Sequence, residues 1–179
     1  MMKRLAAVVV IFLLAISAGC NSGGKKKVAT LPTTTPTTSQ TATTSQAGDA
    51  SLEEAVRSTL SQNRRLSIYV LWNNTIPSWA AHSTRGPALA SLRAAAQNRQ
   101  NRGIRVRLLA SRRQIVSIRL DASYLRAKAI IVDRQRVQPS GRNGRPLGRA
   151  VMLKERARYE LRRIGRSNRF VVWRVVLLK

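Results

Sequence analysis

The chain has 179 residues, with 33 Lys plus Arg against seven Asp plus Glu, a formal charge of +26, one cysteine and one histidine. A lone histidine excludes the zinc sites that need two, and a lone cysteine excludes an internal disulfide or a cysteine-rich metal site. After the two leading segments read below, no more than about 130 residues remain to fold, enough for one domain with one core.

Lys3 and Arg4 precede an apolar run from Ala6 to Ile16, and Ser17, Ala18 and Gly19 lead to Cys20. That order is a lipoprotein-type signal peptide over residues 1–19. Its apolar run of 11 residues is well short of the about 20 that a spanning helix needs. Cys20 is then the lipid-bearing first residue of the mature chain, a palmitate-type anchor holding the protein on the extracytoplasmic face of the cell membrane. An uncleaved anchor with an incidental cysteine is the alternative.

Lys25, Lys26 and Lys27 form a membrane-proximal basic patch, where cations favour an anionic leaflet; a solvated spacer is the plainer reading. Residues 28–48 are a Thr, Ser, Pro and Gln tract with nothing to bury, so residues 20–48 read as a lipid-anchored disordered linker. Random-coil scaling gives about twenty such residues a reach of roughly 25 Å.

Residues 49–179 read as a single α+β domain. Ser51-Leu52-Glu53-Glu54 has the form of a capping box, and Leu52, Ala55, Val56, Leu60, Leu66, Val70 and Leu71 continue a helical stripe to about Trp72; Ile68 to Trp72 also fits a strand. Asn73 to Pro77 breaks this element, and Pro77 to Ala81 suits a short helix. Thr84 or a neighbour caps a second helix, Pro87 fits its first turn and Gly103 stops it.

Beyond Gly103 the apolar period changes to two. Ile104, Val106 and Leu108 alternate with arginines, as do Val116, Ile118 and Leu120 with polar residues. Asp121 to Ser123 turns the chain into Leu125, Ala127, Ala129 and Ile131. A hairpin tip at 139–146 follows. Val151 to Leu161 is the clearest strand, Gly165 to Asn168 is a turn, and Phe170 to Leu178 closes the chain. The expectation is N-terminal helices packed on one face of a curved antiparallel sheet of about five strands.

The long helix at 51–72, the stretch Thr84-Arg85-Gly86-Pro87-Ala88-Leu89 with Leu92, the entry Gly103-Ile104-Arg105-Val106 and the ending Arg169-Phe170-Val171-Val172-Trp173-Arg174-Val175 together resemble the nuclear-transport-factor-two-like superfamily. This is the cone-shaped α+β fold shared with the ketosteroid isomerase and scytalone dehydratase families; more narrowly, the chain looks like secreted or lipid-anchored actinobacterial members. The resemblance spans about residues 50–178. It implies a cone with an interior, and a binding or assembly role rather than catalysis, because no catalytic motif of those families matches here.

Glu155 shares the parity of Leu153 and Ala157, so it points inward unless the strand bulges, with Arg174 as its candidate ion-pair partner. Asp133 shares the parity of Ala129 and Ile131. With Tyr159, Trp173 and Arg174 these residues make a candidate pocket. Trp72, Trp79 and Tyr124 read as core or pocket lining, and His82 as a surface residue without an orienting carboxylate. No catalytic residue, metal site or cofactor is expected.

The arginines carry the stronger signal. Five of the 33 cations precede residue 28, so the domain holds 28 cations against all seven acids, a balance of +21. Arg105 and Arg107 on one strand, Arg119 on the next, Arg134 and Arg136 on a third, and Lys154, Arg156, Arg158 and Arg162 on a fourth form a candidate anion-binding face on the solvent side of one sheet; an ordinary solvated sheet face is the plainer reading. The expected partner is an anionic envelope polymer, an anionic lipid surface or an acidic protein, with non-specific nucleic-acid binding open. The leading reading is therefore a non-enzymatic, lipid-anchored cell-envelope protein that binds an anionic partner or joins an envelope assembly. The alternative is a small-ligand-binding or enzymatic domain using the interior.

Overall fold

The computed structural model describes residues 42–178, with side chains from residue 48. The expected signal peptide, Cys20, the Lys25 to Lys27 patch and the linker as far as residue 41 lie outside the described residues. Helix α1 (Ala42–Asn73) is followed by a 3-10 turn (Ser78–His82) and helix α2 (Gly86–Asn101). Strands β1 (Ile104–Leu120), β2 (Arg126–Gly141), β3 (Val151–Arg163) and β4 (Phe170–Leu178) complete the chain.

Helix α1 starts before Ser51, which is exposed within it and caps nothing. The last proline upstream is Pro36. Nothing between residues 42 and 50 therefore stops a helix propagating outward from the packed turns that follow, and 42–48 are helical rather than linker. The expected stripe is the buried one: Leu52, Val56, Leu60, Leu66 and Val70 are all buried. Helix, not strand, continues through Trp72, and Asn74 ends it in a left-handed conformation (φ 56°), its N–H bonded to the Val70 carbonyl at 3.1 Å.

The strands form one open antiparallel sheet in the order β1-β2-β3-β4, four strands rather than about five. The difference lies in β1, read as two strands around 104–108 and 116–120. One 17-residue strand covers both, and its ladder with β2 is interrupted at Leu109 and Val116. Each interruption is a bulge that reverses the side-chain parity. Ile104, Val106 and Leu108 face inward, then Ser111, Arg113 and Ile115, then Ile118 and Leu120. The two bulged residues are left out, with Leu109 42% and Val116 51% exposed.

The inner sheet face, with Ala129, Ile131, Ala157, Leu161, Phe170 and Val172, packs on Leu52, Val56 and Leu60 of α1. A second cluster of Leu66, Val70, Ala80 and Ala96 joins the two helices through the 3-10 turn. Burying a side chain of the size of Leu60 or Ile131 stabilises the fold by about 2 kcal/mol. Thr59 donates to the Phe170 carbonyl at 3.2 Å, and Asn63 donates to buried Thr84 Oγ1 at 2.8 Å. Thr84 thus serves the core and does not cap α2. The segment around it adds a parallel bridge to the free edge of β4, Thr84 beside Val172.

Candidate functional site

The ladders settle which cations share a face. Arg105 lies opposite Ser140, Arg107 opposite Gln138, Arg112 opposite Arg134 and Arg119 opposite Lys128. On the next ladder Arg134 faces Lys154, Arg136 faces Met152, Val132 faces Arg156, Ile130 faces Arg158 and Arg126 faces Arg162. Residues directly opposite on a ladder project to the same side. All nine cations expected on one face are therefore on the side turned away from the helices. Arg112, Arg126 and Lys128 join them, and so does Arg174, opposite Glu160.

Glu160 is the only acid on this face of the described residues, and it pairs with Arg158 at 3.2 Å. Neighbouring strands are about 4.8 Å apart, so the guanidinium groups form a dense lattice of forked donors. The cations are exposed except Arg105 and Arg158, which are half-buried; between them lies a half-buried apolar strip of Ile130, Val132, Val176 and Leu178. Such a lattice repels itself and attracts carboxylate or phosphate polymers.

The opposite face of the sheet and the two helices line a partly open cavity of about 380 Å³. Its walls are mostly apolar, with Val70, Leu92, Val106, Val137 and Leu153 among them, and Asp133, Glu155, Tyr159 and Arg113 also line it. Arg113 escaped the sequence reading. It belongs to a run of polar residues with no clean alternation, and only the bulge at Leu109 turns it inward. Two adjacent arginines, Arg112 and Arg113, ahead of Gln114 and the apolar pair Ile115-Val116 gave no local sign of which one enters the core.

Arg113 makes a two-pronged bond to Asp133. Nη2 donates to Oδ2 at 2.6 Å, and Nε donates to Oδ1 at 2.9 Å and Oδ2 at 3.1 Å. Nη1 donates to the Leu60 carbonyl at 3.2 Å and Nη2 to the Tyr159 hydroxyl at 3.3 Å. Both charged side chains are 9% exposed. Burial alone would lower the Arg113 pKa, but the Asp133 hydrogen bond and the charges of Tyr159 and Asp133 outweigh it and raise it. Burial pushes the Tyr159 hydroxyl up as well.

Glu155 sits directly across the β2–β3 ladder from Asp133 and receives none of the Arg113 bonds just described. Burial, then the Asp133 charge, raises its pKa. Its expected partner is elsewhere: Arg174 reaches the cavity rim but is exposed and lies opposite Glu160, so Glu155 and Arg174 form no ion pair. Trp173 does not line the cavity. The ladder with β3 shifts between Glu160 and Leu161, and this irregularity places the Trp173 ring beside Gly86, with the Arg162 guanidinium 3.9 Å from the ring centroid.

Two other aromatics also differ from expectation. Trp72 and Trp79 are 36% and 38% exposed: Trp72 lies about 200° round α1 from buried Val70, and the 3-10 turn that holds Trp79 buries Ala80 instead. Tyr124 is half-buried against the main core, and His82 is exposed. Among the described residues no three His, Asp or Glu side chains converge as metal ligands, and no helix is long and apolar enough to cross a membrane.

No protein-family model and no curated protein matches this chain. Among solved structures it is similar to the crystal structure of the intermembrane space region of the chloroplast protein ARC6, with a TM-score of 0.56 and 12% identity. The match covers 70% of this chain and 95% of that one. At that identity the likeness speaks to the fold alone.

Proposed function

We propose that this is a non-enzymatic, lipid-anchored cell-envelope protein whose basic sheet face binds an anionic partner. The observation that carries the reading is the shared face of at least a dozen cations with a single acid among them. Anchoring through Cys20 and the stalk supplies reach, and the lattice supplies capture. Binding to the full chain across a salt series tests it, with soluble polyphosphate as probe. If about six anionic contacts form, affinity falls roughly a thousandfold between about 50 and 200 mM salt. Arg134→Glu/Lys154→Glu/Arg156→Glu removes neighbouring cations on two strands and flattens that slope. Absence of binding at low salt refutes the reading.

A second reading is favoured by the cavity. An apolar chamber of about 380 Å³ with a half-buried carboxyl at one wall has the makings of a small-molecule site, and it supports the nuclear-transport-factor-two-like cone as the finer description of the fold. A neutral naphthylamine fluorophore in high salt, where the outer face is screened, tests this reading. Saturable binding that Ser91→Trp blocks from the α2 wall supports it; no binding sinks it.

A further inference from the structure

Arg65, Ile68, Tyr69 and Trp72 follow the spacing i, i+3, i+4, i+7, so they lie on one stripe of α1. All four are exposed, with Ile68 38%, Tyr69 39% and Trp72 36% open to solvent. Trp79 of the 3-10 turn extends the stripe, its ring edge-on to Tyr69 at 6.0 Å. Isolated exposed apolar residues are ordinary; three large rings and an isoleucine gathered at one helix end are not.

The stripe joins the cationic face. Helix α1 runs along β1, tied by Arg64 to Ser111 Oγ at 2.6 Å and by Asn74 to the Ile104 carbonyl at 2.6 Å. Arg105, which by register belongs to the outer sheet face, lies over the Trp72 ring at 5.8 Å from its centroid. No acid occurs between residues 55 and 120. The nearest acids along α1 are Glu53 and Glu54, about 22 Å down the helix axis from Tyr69 by the 1.5 Å rise per residue, and Glu53 lines a separate hollow there with Asp49 and Asp121. The rings therefore lie among cations and far from the acids of α1.

Rings with one apolar and one polar edge, flanked by arginines, match the chemistry of a phospholipid headgroup layer. We propose that the anionic partner of the sheet face is a phospholipid surface, and that Tyr69, Trp72 and Trp79 dock at headgroup depth while Arg65, Arg105 and Arg107 meet the phosphates. This deepens the proposed function and rests on the sheet face binding polyanions. A soluble polymer would use the arginines and leave the rings in water.

The experiment uses the full chain carrying Cys20→Ser, so that no lipid is attached, with phosphatidylglycerol vesicles whose acyl chains are brominated to quench tryptophan. Emission is compared with that of Trp72→Phe/Trp79→Phe, which keeps Trp173. The parent is expected to lose emission and shift to the blue, and the variant to change little. Trp72→Ser/Trp79→Ser is expected to lose about tenfold or more in vesicle affinity, with polyphosphate affinity unchanged. Equal quenching in parent and variant, or unaltered vesicle affinity of the serine variant, overturns the inference. Polyphosphate binding without vesicle binding overturns the lipid assignment, points to a soluble or protein polyanion, and leaves the sheet reading standing. Binding to neither overturns both.

Discussion

Arg113→Met tests how the interior is held together. The substitution keeps the aliphatic length and removes the guanidinium from between Asp133, Tyr159 and the Leu60 carbonyl. Asp133, 7% exposed, is left as an unpaired charge across the ladder from Glu155. Breaking one side of a buried pair costs about 3–5 kcal/mol, against a total stability of about 5–15 kcal/mol for a domain of this kind. At ~4 °C per kcal/mol, melting falls by about 12–20 °C. The companion Arg113→Met/Asp133→Leu removes both charges at once and should return to within about 2 kcal/mol of the parent, since an apolar pair loses no desolvation energy. Urea and thermal unfolding followed by circular dichroism read both. A single variant that melts within about 3 °C of the parent, or a double variant no more stable than the single, would show that cavity water solvates the pair and that the argument from burial is wrong.

Glu155→Gln tests the charge facing the cavity. Burial and the Asp133 charge raise the glutamate's pKa, so the folded state holds the proton more tightly than the unfolded chain. Stability must then fall as pH rises from the ordinary carboxylate range through that raised value. The variant lacks this loss, and its advantage in urea midpoint should grow with pH and vanish in acid; parallel curves would contradict it. Gly86→Ala tests a close approach: at φ +56° a Cβ would stand 2.9 Å from three atoms of the Trp173 ring. The expected cost is about 1–3 kcal/mol, partly recovered by adding Trp173→Leu, and an unchanged unfolding midpoint would count against it.

Much of the outer face was legible in the chain itself. From Val151 to Leu161 the cations Lys154, Arg156 and Arg158 all fall at one parity, with Leu153, Ala157, Tyr159 and Leu161 at the other, and a strand with period two must put all those cations on one side. The interior was legible only where strands stay regular. Asp133, Glu155 and Tyr159 were placed inward by parity, and that is where they lie. Trp173 and Arg174 misled because the ladder shifts beside them, so parity counted from Phe170 fails four residues later.

What the amino-acid order determined by itself was the succession of helices and antiparallel strands, the buried stripe of α1 and the outward cations, because each depends on a period visible among neighbours in sequence. Tertiary structure alone decided the merging of two apparent strands into β1, the inward turn of Arg113 and the exposure of Trp79. A bulge exists only against a partner strand, which supplies one residue opposite two. Likewise, Trp79 stands outside because the 3-10 turn buries Ala80 against Leu66, Val70 and Ala96, and which side chain so short a turn buries depends on the two helices it packs between.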